Sequence, residues 1–384
     1  MQGEGRRANA DSACVGYNRC DITHSLVSMQ PFIDDLVPLV LQADEHWWPR
    51  DLANLSTLSS TWLFYTRQRL YHCPIIQSFS AAVLLADSLE TSPLLVSLVK
   101  GLCLQPLARE RRPRAAELSA IISLLGLDGL ERVTLGGELA VKAERFLRHI
   151  SNPDDLKDLH IDGSLLCDRL SCRPSLEWDE SLSFTLPNIT KLRLTHIELD
   201  IAPPSIPVPS PITTLVLEHV DIVSGHIIHL LNGSKILGRL HLTTNDPAAS
   251  EEQVRLVLAS CAVACLHYET QKDAKSSQFL LDVDPERVES LQCLHLCGHF
   301  VDMGILTMVS ETCRNLVELA IFGRAVRVST GEWAHLIKSG AFSSLRRLGL
   351  PWGTNQPPFA RWPAAEIQQV QEACSFRKIP LSLY

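Results

Sequence analysis

A short pattern of apolar positions, apolar-x-x-apolar-x-apolar, recurs along most of the chain. The last three positions of each copy point inward, outward and inward in an extended chain, as in a strand with one buried face. Successive copies are 23 to 33 residues apart. The ten copies, each predicted to form a strand, are VKGLCL from Val99, LERVTL from Leu130, LKDLHI from Leu156, ITKLRL from Ile189, ITTLVL from Ile212, LGRLHL from Leu237, VACLHY from Val263, LQCLHL from Leu291, LVELAI from Leu316 and LRRLGL from Leu345.

Amphipathic stretches of helical period lie between many of these copies and predict helices there. These stretches are residues 115–125, 143–150, 225–231, 251–260, 302–312, 331–338 and 364–373. One strand and one helix per repeat, stacked side by side, give a parallel sheet with helices on its other side. The proline-rich segment 202–211 cannot be helical and is expected to be an extended loop.

The spacing of the copies is in or slightly above the range of about 20–29 residues typical of leucine-rich repeats. The predicted fold class is therefore α/β, a leucine-rich-repeat-like solenoid with a concave parallel sheet and convex helices. It covers residues 97–384 in about ten irregular units, and residues 378–383 are expected to add an edge strand.

The segment before the repeats has a different pattern, which predicts a small three-helix module over residues 29–76. Its helices are expected near residues 32–41, 51–62 and 66–71, with Pro38 kinking the first. Trp47 and Trp48, in the first connection, are expected to pack into this module rather than anchor a partner. A linking helix is predicted at residues 77–96 and a disordered tail at residues 1–28.

This segment resembles an F-box. The resemblance lies in Pro31 and Leu36, then Asp51-Leu52, Leu55, Leu58-Ser59 and Trp62, and then Arg69-Leu70-Tyr71, Pro93-Leu94-Leu95 and Leu98-Val99-Lys100-Gly101-Leu102. The chain from residue 29 onward is similar to F-box/leucine-rich-repeat-like proteins of mushroom-forming fungi. The resemblance implies a module that docks a Skp-type adaptor and so joins a cullin ubiquitin ligase, while the repeats recruit a protein substrate. The implied adaptor-binding residues are Pro31, Leu36, Leu39, Leu52, Leu55, Leu58 and Trp62.

Polar residues at the outward positions of the predicted strands are the candidate substrate-binding surface, since the concave face of a solenoid is its usual binding surface. Their charges are mixed, so the sign of a partner does not follow, and an ordinary solvated face is the alternative. The candidates are Arg132, Asp158, His160, Lys191, Arg193, Arg239, His241, His267, Glu269, His295, Glu318 and Arg347.

His241, His267 and His295 occupy the same place in three successive repeats and are expected to form a ladder of rings. Cys265, Cys293 and Cys297 are expected on the same side. Thiolate and imidazole ligands suit zinc, but nothing in the pattern fixes a tetrahedral arrangement across a sheet. No metal or other cofactor is therefore predicted, and a pH-sensitive patch is the milder alternative.

Composition narrows the functional classes. The 384 residues are 46% hydrophobic and 20% charged with a net charge of -8, which predicts folded domains and no electrostatic footprint for nucleic acid. The 12 cysteines include no CxxC pair, and no apolar run suggests a secretory signal or a membrane span. An intracellular protein, cytoplasmic or nuclear, without a membrane partner is expected.

No catalytic motif is present, and no nucleophile–base pair is predicted, so the leading hypothesis is a non-catalytic substrate receptor of an SCF-type ubiquitin ligase. One alternative is a repeat scaffold without a ligase role. The other is a metal- or redox-responsive binding protein that uses the Cys/His ladder.

Overall fold

The computed structural model describes most of the chain, which divides into two compact units, Met1–Arg67 and Gln68–Tyr384. The described residues are 34–43, 47–108, 112–167, 173–206, 210–231, 234–271, 279–280, 283–323, 326–354 and 360–384. The predicted tail at residues 1–28 and the candidate Pro31 lie outside them.

The first unit is helical. A 3-10 turn (Asp34–Leu36) leads into helix α1 (Val37–Ala43), which is followed by α2 (Pro49–Leu55) and by the start of α3 (Ser60–His72). The expected kink at Pro38 is wrong, because Pro38 is the second residue of α1, where the missing N–H would have had no partner in the helix. The predicted second helix, 51–62, is also too long, since α2 ends at Leu55 and Trp62 belongs to α3.

The second unit contains a twelve-stranded parallel sheet whose strands follow one another in chain order. Each of the ten predicted strands is present, and the predicted edge strand is confirmed at the C-terminal end of the sheet. At the opposite edge, Ile75–Ile76 adds a strand that was not predicted. The strands of this sheet are β1 (Ile75–Ile76), β2 (Gly101–Leu104), β3 (Arg132–Gly136), β4 (Asp158–Asp162), β6 (Lys191–Thr195), β8 (Thr214–Glu218), β10 (Ile236–Thr244), β11 (Ala262–Thr270), β12 (Cys293–Cys297), β13 (Glu318–Phe322), β14 (Arg347–Leu350) and β17 (Leu381–Leu383).

Two smaller sheets were missed by the sequence pattern. β5 (Ser175–Trp178), β7 (Glu198–Ile201) and β9 (Asp221–Ser224) form a three-stranded parallel sheet, and β15 (Gly353–Thr354) pairs antiparallel with β16 (Ala360–Arg361). The chain thus enters a second strand soon after β6 and again after β8. The described parts of segment 202–211 contain no helix, in agreement with the expected loop.

Helices join most of the strands, and every predicted helical stretch contains one. The predicted linking helix at residues 77–96 is divided into two helices, α4 (Phe79–Thr91) and α5 (Pro93–Val96). The side chain of Ser78 caps the first by accepting a hydrogen bond from the amide of Ala81. The helices of the second unit are α4 (Phe79–Thr91), α5 (Pro93–Val96), α6 (Ala115–Leu125), α7 (Glu144–Leu147), α8 (Glu180–Thr185), α9 (Ile227–Leu231), α10 (Pro247–Ser260), α11 (Pro285–Val288), α12 (Met303–Thr312), α13 (Thr330–Ser339) and α14 (Ala364–Arg377).

The two faces of the large sheet differ in burial because successive side chains of a strand point to opposite sides. On one face, leucines such as Leu159, Leu192 and Leu215 are completely buried and belong to one continuous apolar core with residues of the helices, including Val254. The other face carries mainly polar side chains. None of the described helices has the length and apolar character needed to cross a membrane.

Candidate binding face of the parallel sheet

The face of the twelve-stranded sheet opposite the apolar core, called the polar face below, consists of three rows of residues in register across neighbouring strands. The first row is Arg132, Asp158, Lys191, Thr214, Arg239, Cys265, Cys293, Glu318 and Arg347. The second row is Thr134, His160, Arg193, Val216, His241, His267, His295 and Ala320. The third row is Asp162, Thr195, Glu218, Thr243, Glu269, Cys297 and Phe322.

All twelve candidate residues of the sequence lie in these rows, and none of them is buried. The cationic ones are exposed, whereas the carboxylates and imidazoles are half-buried among their neighbours. The exposed cations are Arg132, Lys191, Arg193, Arg239 and Arg347. The structure therefore brings the candidates together on one surface, as the repeat pattern predicted.

Glu218 organises the middle of the polar face, although it was not among the candidates. It accepts two hydrogen bonds from Nη2 of Arg193, at 3.1 and 2.9 Å, and its Oε1 lies 3.8 Å from Nδ1 of His241. Desolvation alone would raise the pKa of Glu218, but the hydrogen bond and charge of Arg193 outweigh it and lower this pKa. The sequence did contain a signal for it. Glu218 stands two residues after the second-row residue of its strand, as the candidate Glu269 does in β11.

The three histidines form the expected ladder. The ring centroids of His241 and His267 are 4.1 Å apart, and those of His267 and His295 are 5.6 Å apart. Burial, together with the charges that His241 and His295 would carry, lowers the pKa of His267 to about 4. Burial also lowers the pKa of His241. The ring of His267 is therefore neutral at pH 7. It presents one hydrogen-bond donor and one acceptor to the residues around it, and no charge.

Three different ligand-type groups converge at one end of the ladder. Sγ of Cys293 lies 3.3 Å from Nε2 of His295, and the same Nε2 donates to Oε1 of Glu318 at 3.0 Å. The second oxygen of Glu318 lies 3.2 Å from Nη1 of Arg347. Cys293 and His295 share a side of β12 because they are two residues apart, and Glu318 is the register partner of Cys293 on β13.

Cys265 is the register partner of Cys293 on the opposite neighbour, β11. A hydrogen bond donated by the thiol of Cys293 would stabilise the thiolate of Cys265, which lowers the pKa of Cys265 and raises that of Cys293. Arg239 next to Cys265 adds to the lowering of its pKa. This corner of the polar face thus combines two sulfurs, an imidazole and a carboxylate.

The expectation that no nucleophile–base pair exists needs correction, since Cys293 and His295 are in contact. Their arrangement nevertheless differs from a catalytic triad, in which the carboxylate holds one ring nitrogen and the nucleophile contacts the other. Here Cys293 and Glu318 both approach Nε2 of His295. The pKa of Cys293 is also raised, whereas a nucleophilic cysteine needs a lowered one.

The candidate adaptor-binding residues of the first unit separate into exposed and buried ones. Leu36, Leu39 and Leu58 are exposed, with Leu58 at 63%, and Leu55 is half-buried. Leu52 and Trp62 are only 4% and 9% exposed, so they stabilise the fold and offer little surface to a partner. This corrects their assignment to a contact surface.

Trp48 is 73% exposed, which overturns its expected packing into the helical module. The exposed Phe64 of α3 was not among the candidates either. The sequence does not reveal whether the ring of Trp48 or of Phe64 is exposed, because aromatic side chains occur both in cores and at interfaces.

No protein-family model matches the chain, and no match was found among curated proteins. Function is therefore inferred from the placement of side chains on the polar face and on the N-terminal helices.

Proposed function

We propose that this protein is a non-catalytic substrate receptor of an SCF-type ubiquitin ligase that acts inside the cell. Its second unit is a leucine-rich-repeat-like solenoid whose polar face binds a protein substrate. Its first unit is an F-box-like module that docks a Skp-type adaptor and, through it, a cullin. The observation that carries the proposal is the polar face, whose first row crosses all strands from β3 to β14 in register.

The chain-order sheet supports the solenoid. Each strand pairs only with the strands of the preceding and following repeats, which is how stacked units bury a core that no single unit could bury alone. With strands about 4.8 Å apart, twelve of them extend over roughly 50 Å. A surface of this length suits a folded protein or an extended peptide better than a small molecule.

The exposed leucines of the first unit support adaptor docking. Leu36, Leu39 and Leu58 belong to short helices or their connections, and Trp48 is exposed near them in sequence. Large apolar side chains cost free energy when they face water, and burying each one against a partner would recover about 1.5–3 kcal/mol. Apolar helix surfaces are also the kind of surface that F-box proteins use, as the resemblance implies.

Adaptor docking can be tested by copurification of the tagged full chain with a Skp-type adaptor. The variant Leu36→Glu/Leu39→Glu/Leu58→Glu is expected to lose the adaptor while it keeps the circular dichroism spectrum of the wild type. Leu94→Glu is the matched control, because Leu94 is 85% exposed but lies in α5 of the second unit. Failure of the wild-type chain to capture an adaptor would favour the scaffold without a ligase role.

Substrate binding by the polar face calls for a separate experiment. Affinity capture with mass spectrometry under proteasome inhibition would identify proteins retained by the wild-type chain. The charge reversals Arg193→Glu and Arg239→Glu are expected to release the substrate and to keep the adaptor. Retention of every captured protein by both variants would place substrate binding elsewhere on the molecule.

A further inference from the structure

A cluster of three ligand-type side chains lies within the polar face, on β12 and β13. Cys293, His295 and Glu318 bring one sulfur, one imidazole nitrogen and one carboxylate oxygen within 4.8 Å of one another. All three are half-buried, so water is partly excluded from the point where they meet. We propose that Cys293, His295 and Glu318 bind one zinc ion, with a water molecule as fourth ligand.

The distances between the ligand atoms are close to those of a tetrahedral zinc site. Zinc bonds of about 2.3 Å to sulfur and 2.0–2.1 Å to nitrogen or oxygen place sulfur and nitrogen about 3.5 Å apart, and nitrogen and oxygen about 3.4 Å apart. The corresponding distances are 3.3 Å from Cys293 Sγ to His295 Nε2 and 3.0 Å from His295 Nε2 to Glu318 Oε1. Zinc would replace the proton on Nε2 and move these atoms apart by a few tenths of an ångström.

The surroundings support zinc binding. Cys265 lies opposite Cys293 in register on β11, outside the three groups whose ligand atoms meet, so the fourth position is left to water. Binding would release the thiol proton of Cys293 to solvent, since the thiolate is the ligand. Arg347 contacts Oε2 of Glu318 and leaves Oε1 for the metal, so it can orient the carboxylate as an outer-shell partner.

The ligand set selects the metal. A sulfur together with an imidazole and a carboxylate suits zinc, while magnesium and calcium prefer oxygen ligands alone. A second cluster, His241, His267 and Glu269, lies further along the polar face. It is the weaker candidate because it has no sulfur and because two of its rings already contact each other, with centroids 4.1 Å apart.

Cobalt(II) is the probe, because it takes zinc's place in tetrahedral thiolate sites and gives absorption bands that report sulfur ligands. The full chain, treated with a chelator and kept reduced with a phosphine, would be titrated with cobalt and then with zinc. The expected result is one cobalt ion per chain, a thiolate-to-cobalt charge-transfer band, and loss of that band when zinc displaces cobalt. Absence of the band, or of bound zinc in metal analysis, would overturn the proposal.

Variants locate the site. Cys293→Ser is expected to abolish the charge-transfer band, and Glu318→Gln to weaken zinc binding by at least the ~10–100-fold that loss of an outer-shell partner costs. Cys297→Ser is the matched control, since Cys297 is a half-buried cysteine on the same face of β12 outside the cluster. His267→Gln controls for the second cluster.

Both control variants are expected to bind cobalt as the wild type does. An unchanged band in Cys293→Ser, or loss of the band in Cys297→Ser or His267→Gln, would contradict the assignment of the ligands. The far-ultraviolet circular dichroism of each variant checks folding, and Glu318→Gln, a nearly isosteric change at a half-buried position, is informative even if a cysteine variant fails to fold. The proposal does not depend on adaptor or substrate binding, so its failure leaves the proposed function intact.

Discussion

The imidazole of His299 lies against the ring of Tyr268, with the two centroids 4.1 Å apart and both side chains buried. Tyr268 is on β11 and points to the helix side of the sheet, opposite the polar face, while His299 follows β12. Burial lowers the pKa of His299 to about 4, and a hydrogen bond to the backbone of Tyr268 opposes this only in part. The ring is therefore neutral in the folded protein at every pH above that value.

His299 is predicted to make stability depend on pH. Its pKa is about 4 when folded and about 6.5 when unfolded, so the unfolded chain binds the extra proton between these values. Its contribution is complete above pH 6.5 and decreases as the pH falls towards 4, by about 3 kcal/mol in total. Urea unfolding of the wild type and of His299→Gln at several pH values measures this effect. The difference between their free energies of unfolding should become smaller as the pH falls. A difference that stays constant from pH 7 to 4 would contradict the burial of a neutral ring.

Tyr268→Phe is predicted to lower the free energy of unfolding by about 1 kcal/mol, the usual net value of a hydrogen bond. The lost bond is the 2.7 Å contact between the hydroxyls of Tyr268 and Ser250, which joins β11 to α10. Ser250 keeps its bond to the carbonyl of Pro247, which limits the loss. Tyr384→Phe is the control, since Tyr384 is 63% exposed and its hydroxyl should contribute almost nothing.

Gly298→Ala is predicted to destabilise the second unit by roughly 2–4 kcal/mol. Gly298 has a φ of +74°, and a Cβ there would lie 2.0 Å from the carbonyl oxygen of Thr270. Relieving this overlap would require one of the two backbone segments to move. Gly331→Ala serves as control, because nothing lies within 4 Å of a Cβ at that position in α13. Thermal unfolding of the two variants should therefore show a clear loss for the first and an unchanged or slightly higher midpoint for the second.

Two neighbouring residues of β6 are predicted to respond in opposite ways. Leu194→Ala should cost about 2–5 kcal/mol of stability, because Leu194 is completely buried in the core. Arg193→Ala should cost less than about 1 kcal/mol, because the Arg193–Glu218 ion pair is largely exposed on the arginine side. Chemical unfolding measures both. A loss of several kcal/mol in Arg193→Ala would show that the polar face supports the fold rather than a partner.

The strands of the large sheet could be predicted because each repeats the same simple requirement. A strand such as β4 needs apolar residues at alternate positions, because one of its two faces packs into the core. Leu159 and Ile161 are the apolar residues at those positions in β4. Which polar residues share a face followed from the same alternation. The outward positions, including His241, His267 and His295, were therefore correctly placed in one register row.

Other features could not be predicted from one chain. The three-stranded sheet of β5, β7 and β9 consists of short segments that follow β4, β6 and β8, and they pair because those three strands already lie side by side. The burial of Leu52 and Trp62, against the exposure of Leu58 and Trp48, also has no local signal. All four residues are large and apolar, and only packing determines which of them meet water.

The sequence by itself determined the order and direction of the strands of the large sheet other than β1, and the side on which each of their polar residues lies. Periodicity alone encodes these features, since a one-residue slip would expose a buried leucine at every strand. The tertiary structure alone decided the distances across strands. His295 meets Cys293 within its own strand but meets Glu318 only because β12 and β13, 25 residues apart along the chain, lie side by side in register. Contacts of that kind depend on how whole units stack, which no local pattern records.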